Sequence, residues 1–564
     1  MAAAQASALQ RFLTVAKPYW KGDRKVWAWT FLAGIIVLML ADTQLAVLLN
    51  NQTGELTSAL AARNEDRFWA AVRAMLWVIA FAVPVFATYY YARDAYANDW
   101  RRWLTHRFLD GYLRERRYFH LAGDDIDNPD QRITEDVNTF TGRSLNFLLI
   151  MLGSLMQLVA FSAVLWSLSH MLVGFLVVYA LAGTLLSLGL FGRPLIRLNY
   201  WQLKREADFR FRLMRVRENA ESIAFYGGEK QERHQLDQRL RAALLNTRKL
   251  IRAQFGLNLF QRGFSQVSLL VPCVVLAGDV LGGRLEVGQA VQAGGAFAAV
   301  LGAVSLIIDN FESLSRFVAG IDRLHAMAAV LDAAPPEAGI AREEGSELDI
   351  KDLTVHAPGS ERVLVEKLNL RVPEGGSLLI TGASGTGKSS LLRAIAGLWT
   401  QGSGQVSHPP REDVFFLPQR PYLQVGTLRS QLIYPSTQTE LEDEALFKIL
   451  DEVQLRHLAE GDSGLDRNED WEKLLSGGEQ QRLAFARLLV HAPRVAILDE
   501  ATSALDDANQ KRLYQRLAQR GTTMISIAHR AAVAGFHRHV LKLTGGGRWT
   551  LAKTPKESAD KPGD

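Results

Sequence analysis

The run Gly382 to Ser389, GASGTGKS, fits G-x-x-x-x-G-K-[ST]. Glycines at that spacing let backbone N–H groups wrap phosphate oxygens, while Lys388 brings a cation to the β- and γ-phosphates and the Ser389 hydroxyl can ligate Mg²⁺. Gly382, Ala383, Ser384, Gly385, Thr386, Gly387, Lys388, Ser389 and Ser390 are therefore the expected nucleotide contacts. A second run, Val495 to Leu498, ends in Asp499 and Glu500, which lie 111 and 112 residues after Lys388. Adjacent acids at a strand terminus point to different sides of the chain and can divide metal holding from activation of water. A phosphate-binding turn and an acid pair are the equipment for phosphoryl transfer, which depends on positioning and charge stabilisation.

A phosphate loop works only between a strand and a helix. The strand-like run Ser377 to Ile380 leads into GASGTGKS, and a helical stretch, Ser390 to Ala396, follows it. Val414 to Leu417, Val495 to Leu498 and Met524 to Ile527 repeat the alternation, which predicts an α/β domain over 348–552 with a largely parallel core sheet. Ala333 to Glu347, AAPPEAGIAREEGSE, reads as a linker. Residues 553–564 carry charge, Pro and Gly without periodicity and are expected to be disordered.

The first part, 1–332, has a different character, hidden by a mean hydropathy of 0.00 for the chain. Uncharged stretches run Val26 to Ala41, Ala74 to Ala92, Ser144 to Leu168, Met171 to Phe191, Gly263 to Gly278 and Ala290 to Ile308. Most reach the ~20 residues a helix needs to cross a bilayer, so six spans are predicted; the short run Gly263 to Gly278 carries Pro272. Nine Lys and Arg lie from Arg93 to Arg143 and sixteen from Arg193 to Arg262, whereas the alternate connections hold Arg63, Arg67 and Arg284. Basic segments near span ends resist translocation, so both termini are expected in the cytoplasm. The net charge of +5 then belongs to cytoplasmic helical loops, and nucleic acid is not an expected partner. The first 25 residues lack the pattern of a removable signal peptide. The one cysteine, Cys273, excludes an intramolecular disulfide and a cysteine-based metal site.

Further motifs carry a resemblance. Gln419 lies in FFLPQRPYLQVGTL, Leu475 to Arg482 read LSGGEQQR, Ser503 to Asp506 read SALD, and His529 lies in ISIAHR. In this order they resemble the ATP-binding-cassette (ABC) proteins over the full chain: an α-helical, exporter-type membrane domain of six helices fused to an α/β P-loop NTPase. The resemblance implies an ATPase in which Glu500 is general base, Gln419 and His529 are catalytic, and Ser389, Gln419 and Asp499 hold Mg²⁺. It also implies that Ser476, Gly477, Gly478 and Asp506 meet nucleotide across a head-to-tail pair of cassettes. One chain would then be half of a transporter, most simply a homodimer. Where many cassettes stack an aromatic side chain on adenine, this chain has Ala357.

Asn128 to Ile133 (NPDQRI), Glu218 to Glu229 (ENAESIAFYGGE) and the pair Asp470 and Trp471 are more discriminating. They resemble subfamily D fatty-acyl transporters and their SbmA/BacA-like bacterial relatives, some with a fused cassette. NPDQRI by that resemblance belongs to an intracellular loop, and also reads as a Pro turn capping a helix. Ionisable groups in or at the edge of spans are Asp42, Arg73, Asp279, Asp309 and Glu312; Arg73 and Asp279 suit headgroup contact, and Asp42 and Asp309 are the candidates for a polar cavity. The expected function is ATP-driven transport across a bacterial inner membrane of a hydrophilic or amphipathic solute such as a peptide or cobalamin-like compound, with import one open direction. The competing expectation is a carrier of fatty-acyl-CoA, fatty acid or lipid.

Overall fold

Uncharged runs become long helices in the computed structural model, which describes residues 7–121, 129–309, 311–333, 339–357, 360, 362–399, 401–461, 463–528 and 531–554. Among the described residues, six helical segments are long and apolar enough to cross a membrane: Lys25–Ala61, Glu65–Phe119, Pro129–Leu168, His170–Gly192, Glu229–Leu281 and Val287–Val304. Each takes in all or most of one predicted run. The helices used below are α1 (Ala8–Lys21), α2 (Lys25–Ala61), α3 (Glu65–Leu113), α4 (Val137–Leu168), α5 (His170–Ser187), α6 (Arg193–Glu218), α7 (Glu229–Leu281), α8 (Val287–Asp309) and α9 (Phe311–Asp332). The short Gly263 to Gly278 run is the C-terminal part of α7, which continues through Pro272, as helices in apolar surroundings can.

Small and polar residues let α2 and α8 cross closely. A Cβ added to Gly288 would stand 1.8 Å from the carbonyl oxygen of Gly54. Beside this contact Asn50 Nδ2 donates to the Gln292 carbonyl at 3.0 Å and Gln292 Nε2 donates to Asn51 Oδ1 at 2.6 Å. Close backbones and interhelical hydrogen bonds are what hold helices together where lipid removes the hydrophobic drive. Arg67 extends the clamp by pairing with Glu55 and, at 2.8 Å, with Glu286. Elsewhere α1 is anchored by aromatic packing, Tyr19 stacking on Trp100 at 5.5 Å, while Tyr96 donates to the Ala28 carbonyl at 3.1 Å.

In NPDQRI, Asn128 lies outside the described residues; Pro129 opens a helical segment and a π-helical turn follows over Arg132–Asp136. Arg132 is buried and donates to the Arg323 carbonyl at 2.9 Å, and Arg323 pairs with Asp136 at 2.6 Å. The motif is thereby tied to α9. ENAESIAFYGGE forms the joint between α6 and α7, with Gly227 in a left-handed conformation at φ 61°.

The chain divides into two units, Met1–Ala333 and Ala334–Asp564. The second unit has strands β1 (Ile340–Glu344), β2 (Leu348–His356), β3 (Val363–Val372), β4 (Ser377–Gly382), β5 (Gly402–His408), β6 (Val414–Leu417), β7 (Val425–Thr427), β8 (Asn468–Asp470), β9 (Val495–Asp499), β10 (Thr523–Ile527), β11 (His539–Gly545) and β12 (Arg548–Lys553). The six-stranded sheet runs β12-β11-β4-β10-β9-β6 and is parallel from β11 to β6. All four predicted strands lie in it. Residues such as Leu378, Ile380, Ile497, Leu498, Ile525 and Ile527 are buried on its two faces, as strands covered on both sides require.

A second sheet, β1-β5-β2-β3, packs its apolar side chains into one cluster with those of the helix Lys388–Ala396 and one face of the six-stranded sheet. It corrects the expected linker 333–347: Ile340–Glu344 pairs with Gly402–His408 as a parallel edge strand. Ile340 is buried and the residues after it are exposed, so an apolar anchor followed by charge suffices for an edge. Residues 334–338 of that stretch and 555–564 of the expected tail lie outside the described residues.

Candidate functional site

β4 delivers the phosphate loop to the N-terminus of α10 (Lys388–Ala396). Its glycines are conformational requirements: Gly387 has φ 98°, and a Cβ there would stand 2.9 Å from Leu364 Cβ. Gly382 has φ 151°, and a Cβ would stand 2.5 Å from the Leu543 carbonyl oxygen. Lys388 is buried, its ammonium donating to the carbonyls of Gly382 and Ala383 at 2.9 and 3.0 Å. Thr386 Oγ1 donates to the Ala383 carbonyl at 2.9 Å, Ser384 and Gly385 are exposed, and Ser389 and Ser390 are half-buried on the first turn of α10.

The parallel sheet brings the acid pair to the same end as this loop. Asp499 closes β9, and Glu500 follows with φ 48° in the left-handed region, its N–H donating to the Ile527 carbonyl at 3.1 Å. An L-residue held there costs about 1 kcal/mol or more, borne by the sheet that fixes it. Gln419, two residues after β6, donates from Nε2 to Glu500 Oε2 at 2.9 Å. Burial and the Glu500 charge push the Asp499 carboxyl above the usual carboxylate range, against the opposing pull of Arg393 and Lys388. Gln419, Asp499, Glu500 and Lys388 are thus brought together.

Ser476 caps α11 (Gly477–His491) in a reciprocal box with Glu479. Its hydroxyl donates to Glu479 Oε2 at 2.7 Å, and those O–H and N–H bonds, with His457 nearby, hold the Glu479 carboxyl down. Among the described residues, no hydrogen bond links Ser476, Gly477 or Gly478 to the phosphate loop. Asp506 caps α12 (Asp507–Gln519), accepting from Asn509 N at 2.7 Å. His529 lies outside the described residues, just beyond β10. Ala357 sits in the β2–β3 turn, donating its N–H to the Arg362 carbonyl at 2.9 Å. Trp471 is fully buried with its indole N–H on the Gly426 carbonyl at 2.8 Å, and Asp470 pairs with Lys473 at 2.5 Å.

Two residues escaped the motif reading. Arg487 is buried and donates to the Tyr422 and Gln431 carbonyls, each at 2.6 Å, pinning the segment after Gln419 to α11. Burial pushes its guanidinium down to about 10, so it stays charged at neutral pH. The signal was a lone cation inside the apolar run LAFARLLV. Gln481, also buried, belongs to the run LSGGEQQR but had no assigned role.

In the membrane unit a pocket of about 800 Å³ opens between α5, α7 and α8. Its walls combine Phe255, Phe264 and Leu301 with Asn258, Gln261 and Arg262. Asp42, half-buried on α2, is not part of this lining, and the side chains of Asp309 and Glu312 lie outside the described residues. Arg73 is exposed on α3, and Asp279 pairs with Arg284 at 2.5 Å.

Residues 18–281 match the family model described as ABC transporter transmembrane region 2, and residues 365–503 match the one described as ABC transporter. Relatives align over nearly the whole chain. An uncharacterized ABC transporter ATP-binding protein of Synechocystis is 43% identical over 93% of this chain and 81% of its own. The chloroplastic ABC transporter D family member 2 of Arabidopsis thaliana is 35% identical over 95% and 86%. The lysosomal cobalamin transporter of Homo sapiens is 32% identical over 97% of each chain.

Proposed function

The chain belongs to the ABC transporters as a half-transporter of the D-family type, and from that premise we propose that two copies form an ATP-hydrolysing pump for an amphipathic or hydrophilic solute. The observation that carries this reading is the joining, in one chain, of six membrane-length apolar helices to a site where Gln419 holds Glu500 beside Asp499 and Lys388. Residues 1–332 are the membrane domain and 348–552 the cassette, with β1 added to its sheet. Both termini are cytoplasmic in a bacterial inner membrane, following the basic segments Arg93 to Arg143 and Arg193 to Arg262.

ATP is held by backbone N–H groups of Gly382 to Ser390 at the α10 N-terminus, with the Lys388 ammonium exchanging its two carbonyl partners for phosphate oxygens. Glu500 accepts the proton of the attacking water as the bond from the γ-phosphorus to the β-γ bridging oxygen breaks, and Gln419 keeps the carboxylate oriented. His529 joins them by family resemblance. Ser389, Gln419 and Asp499 would hold Mg²⁺: they are hard oxygen donors of the kind it takes together with phosphates, and Gln419 spends its amide N–H on Glu500, so its side-chain oxygen is the atom it could offer a metal. When bound, the ion neutralises developing phosphate charge. Ser476, Gly477, Gly478 and the Asp506 turn serve the ATP of the partner chain, so neither cassette has a complete site alone. ATP bound across such an interface favours the closed pair, and its loss releases it.

For the cargo, the pocket between α5, α7 and α8 has apolar walls and amides, and among the described residues its lining holds the cation Arg262 and no carboxylate. It suits an amphipathic molecule bearing a polar or anionic group, which includes cobalamin-like compounds. The same aromatic and aliphatic walls favour the second reading, a fatty-acyl or lipid cargo. Reconstitution in liposomes with cobalamin, peptides and acyl-CoA, recording transport and ATPase stimulation together, tests the proposal. One compound is expected both to stimulate hydrolysis and to accumulate against its gradient; ATP-independent, passive equilibration of all of them would overturn the pump.

A further inference from the structure

Gln481 lies on α11 three residues past Gly478 and is 5% exposed. Both ends of its amide are used. Nε2 donates to the Gln419 carbonyl at 3.3 Å and to the Ser503 hydroxyl at 3.1 Å, while Oε1 accepts the Ala504 N–H at 2.9 Å. The partners fix the polarity of the amide, because a backbone N–H can only donate and a backbone carbonyl only accept. Gly478 makes a parallel contact: a Cβ there would stand 3.2 Å from the Ala504 carbonyl oxygen. One buried side chain therefore ties the backbone of Gln419, α11 and the largely exposed Ser503–Asp506 turn into a single unit.

Those three segments have different duties under the proposed function, on which this inference rests. Gln419, whose own side chain holds Glu500, serves the ATP of its own chain; Ser476 to Gly478 and the Ser503–Asp506 turn serve the ATP of the partner. We propose that Gln481 is a positioning residue that couples the two ATP sites of the dimer. When Gln419 shifts to engage its nucleotide, Gln481 has to carry α11 and the Ser503–Ala504 turn with it or lose a hydrogen bond in a buried place, and buried groups left unpaired are costly. The first site to fill thereby presets the groups that complete the second.

The test is ATP titration of hydrolysis by the purified full chain in lipid nanodiscs, comparing the natural protein with Gln481→Glu and Gln481→Met. The carboxylate keeps the acceptor for Ala504 but sets two acceptors face to face at Gln419, and Met keeps shape without any of the three hydrogen bonds. The natural protein should show a Hill coefficient above one. Both variants should bring it to one and raise the KM for ATP roughly fivefold for each hydrogen bond lost, more than they lower kcat. Protonating the introduced carboxyl restores a donor toward Gln419, so cooperativity of Gln481→Glu should return as pH falls from about 8 to about 6 while Gln481→Met stays flat. A Hill coefficient of one in the natural protein, or unchanged cooperativity in both variants, overturns the coupling while leaving the pump intact. Equal losses in both variants at every pH would reduce Gln481 to a structural residue and overturn it as well. Failure of the natural protein to hydrolyse ATP would sink the proposed function, and the coupling with it.

Discussion

At the scale of the residue, the site turns on a few atoms whose removal has separable effects. Glu500→Gln should keep ATP binding yet slow hydrolysis by about 10²- to 10⁴-fold, the usual contribution of a positioned base; phosphate release at the natural rate would remove Glu500 from that role. Lys388→Ala deletes a charged donor and should weaken ATP binding by roughly 10- to 100-fold, measured by titration calorimetry. His537 sets a pH limit. It is 3% exposed, faces the Val533 carbonyl through Nδ1 and the Ser526 hydroxyl through Nε2, and burial lowers its pKa to about 4. The unfolded chain, with an ordinary histidine near 6.5, binds more protons than the folded one between those values, so stability rises with pH there and is lost as pH falls from about 6.5 to about 4. The loss is at most about 3 kcal/mol. Thermal unfolding of the full chain should show it, and His537→Gln should flatten that slope; an unchanged slope would show that His537 is not its source.

At the scale of the element, what was legible was what local pattern controls. Uncharged runs named all six long helices, and four apolar runs named strands that pair in one parallel sheet, because burial on both faces writes itself as continuous apolar sequence. The phosphate loop was legible since Gly382 and Gly387 occupy conformations that side chains resist. Less legible were parts set by partners distant in sequence. Ile340–Glu344 is held by Gly402–His408, some 60 residues on, and looked like a linker because an edge strand needs only one buried anchor. Arg487 and Gln481 hold loops through backbone carbonyls, which carry no side-chain signature. The close crossing of α2 and α8 was equally hidden. Gly288→Ala should push these helices apart and lower the thermal midpoint of the detergent-solubilised chain, by an overpacking cost of about 1 to 3 kcal/mol, whereas Gly294→Ala, which meets open space, should not. Equal midpoints for the two would deny the crossing.

At the scale of the whole molecule, half of each ATP site comes from a second chain under the proposed function. Lys388, Asp499, Glu500 and Gln419 converge within one cassette, while Ser476 is engaged by Glu479 on its own helix. Under that proposal a second copy would complete both sites with two-fold symmetry. The most direct measurement is inter-chain cross-linking in nanodiscs, with Cys273→Ser and Glu500→Gln as background, between chains carrying Ser384→Cys and chains carrying Ser476→Cys. Head-to-tail closure predicts that a short bifunctional maleimide joins the two kinds of chain when ATP is added and fails to do so with the nucleotide removed. No cross-link with ATP present, or the same yield without it, would contradict the account.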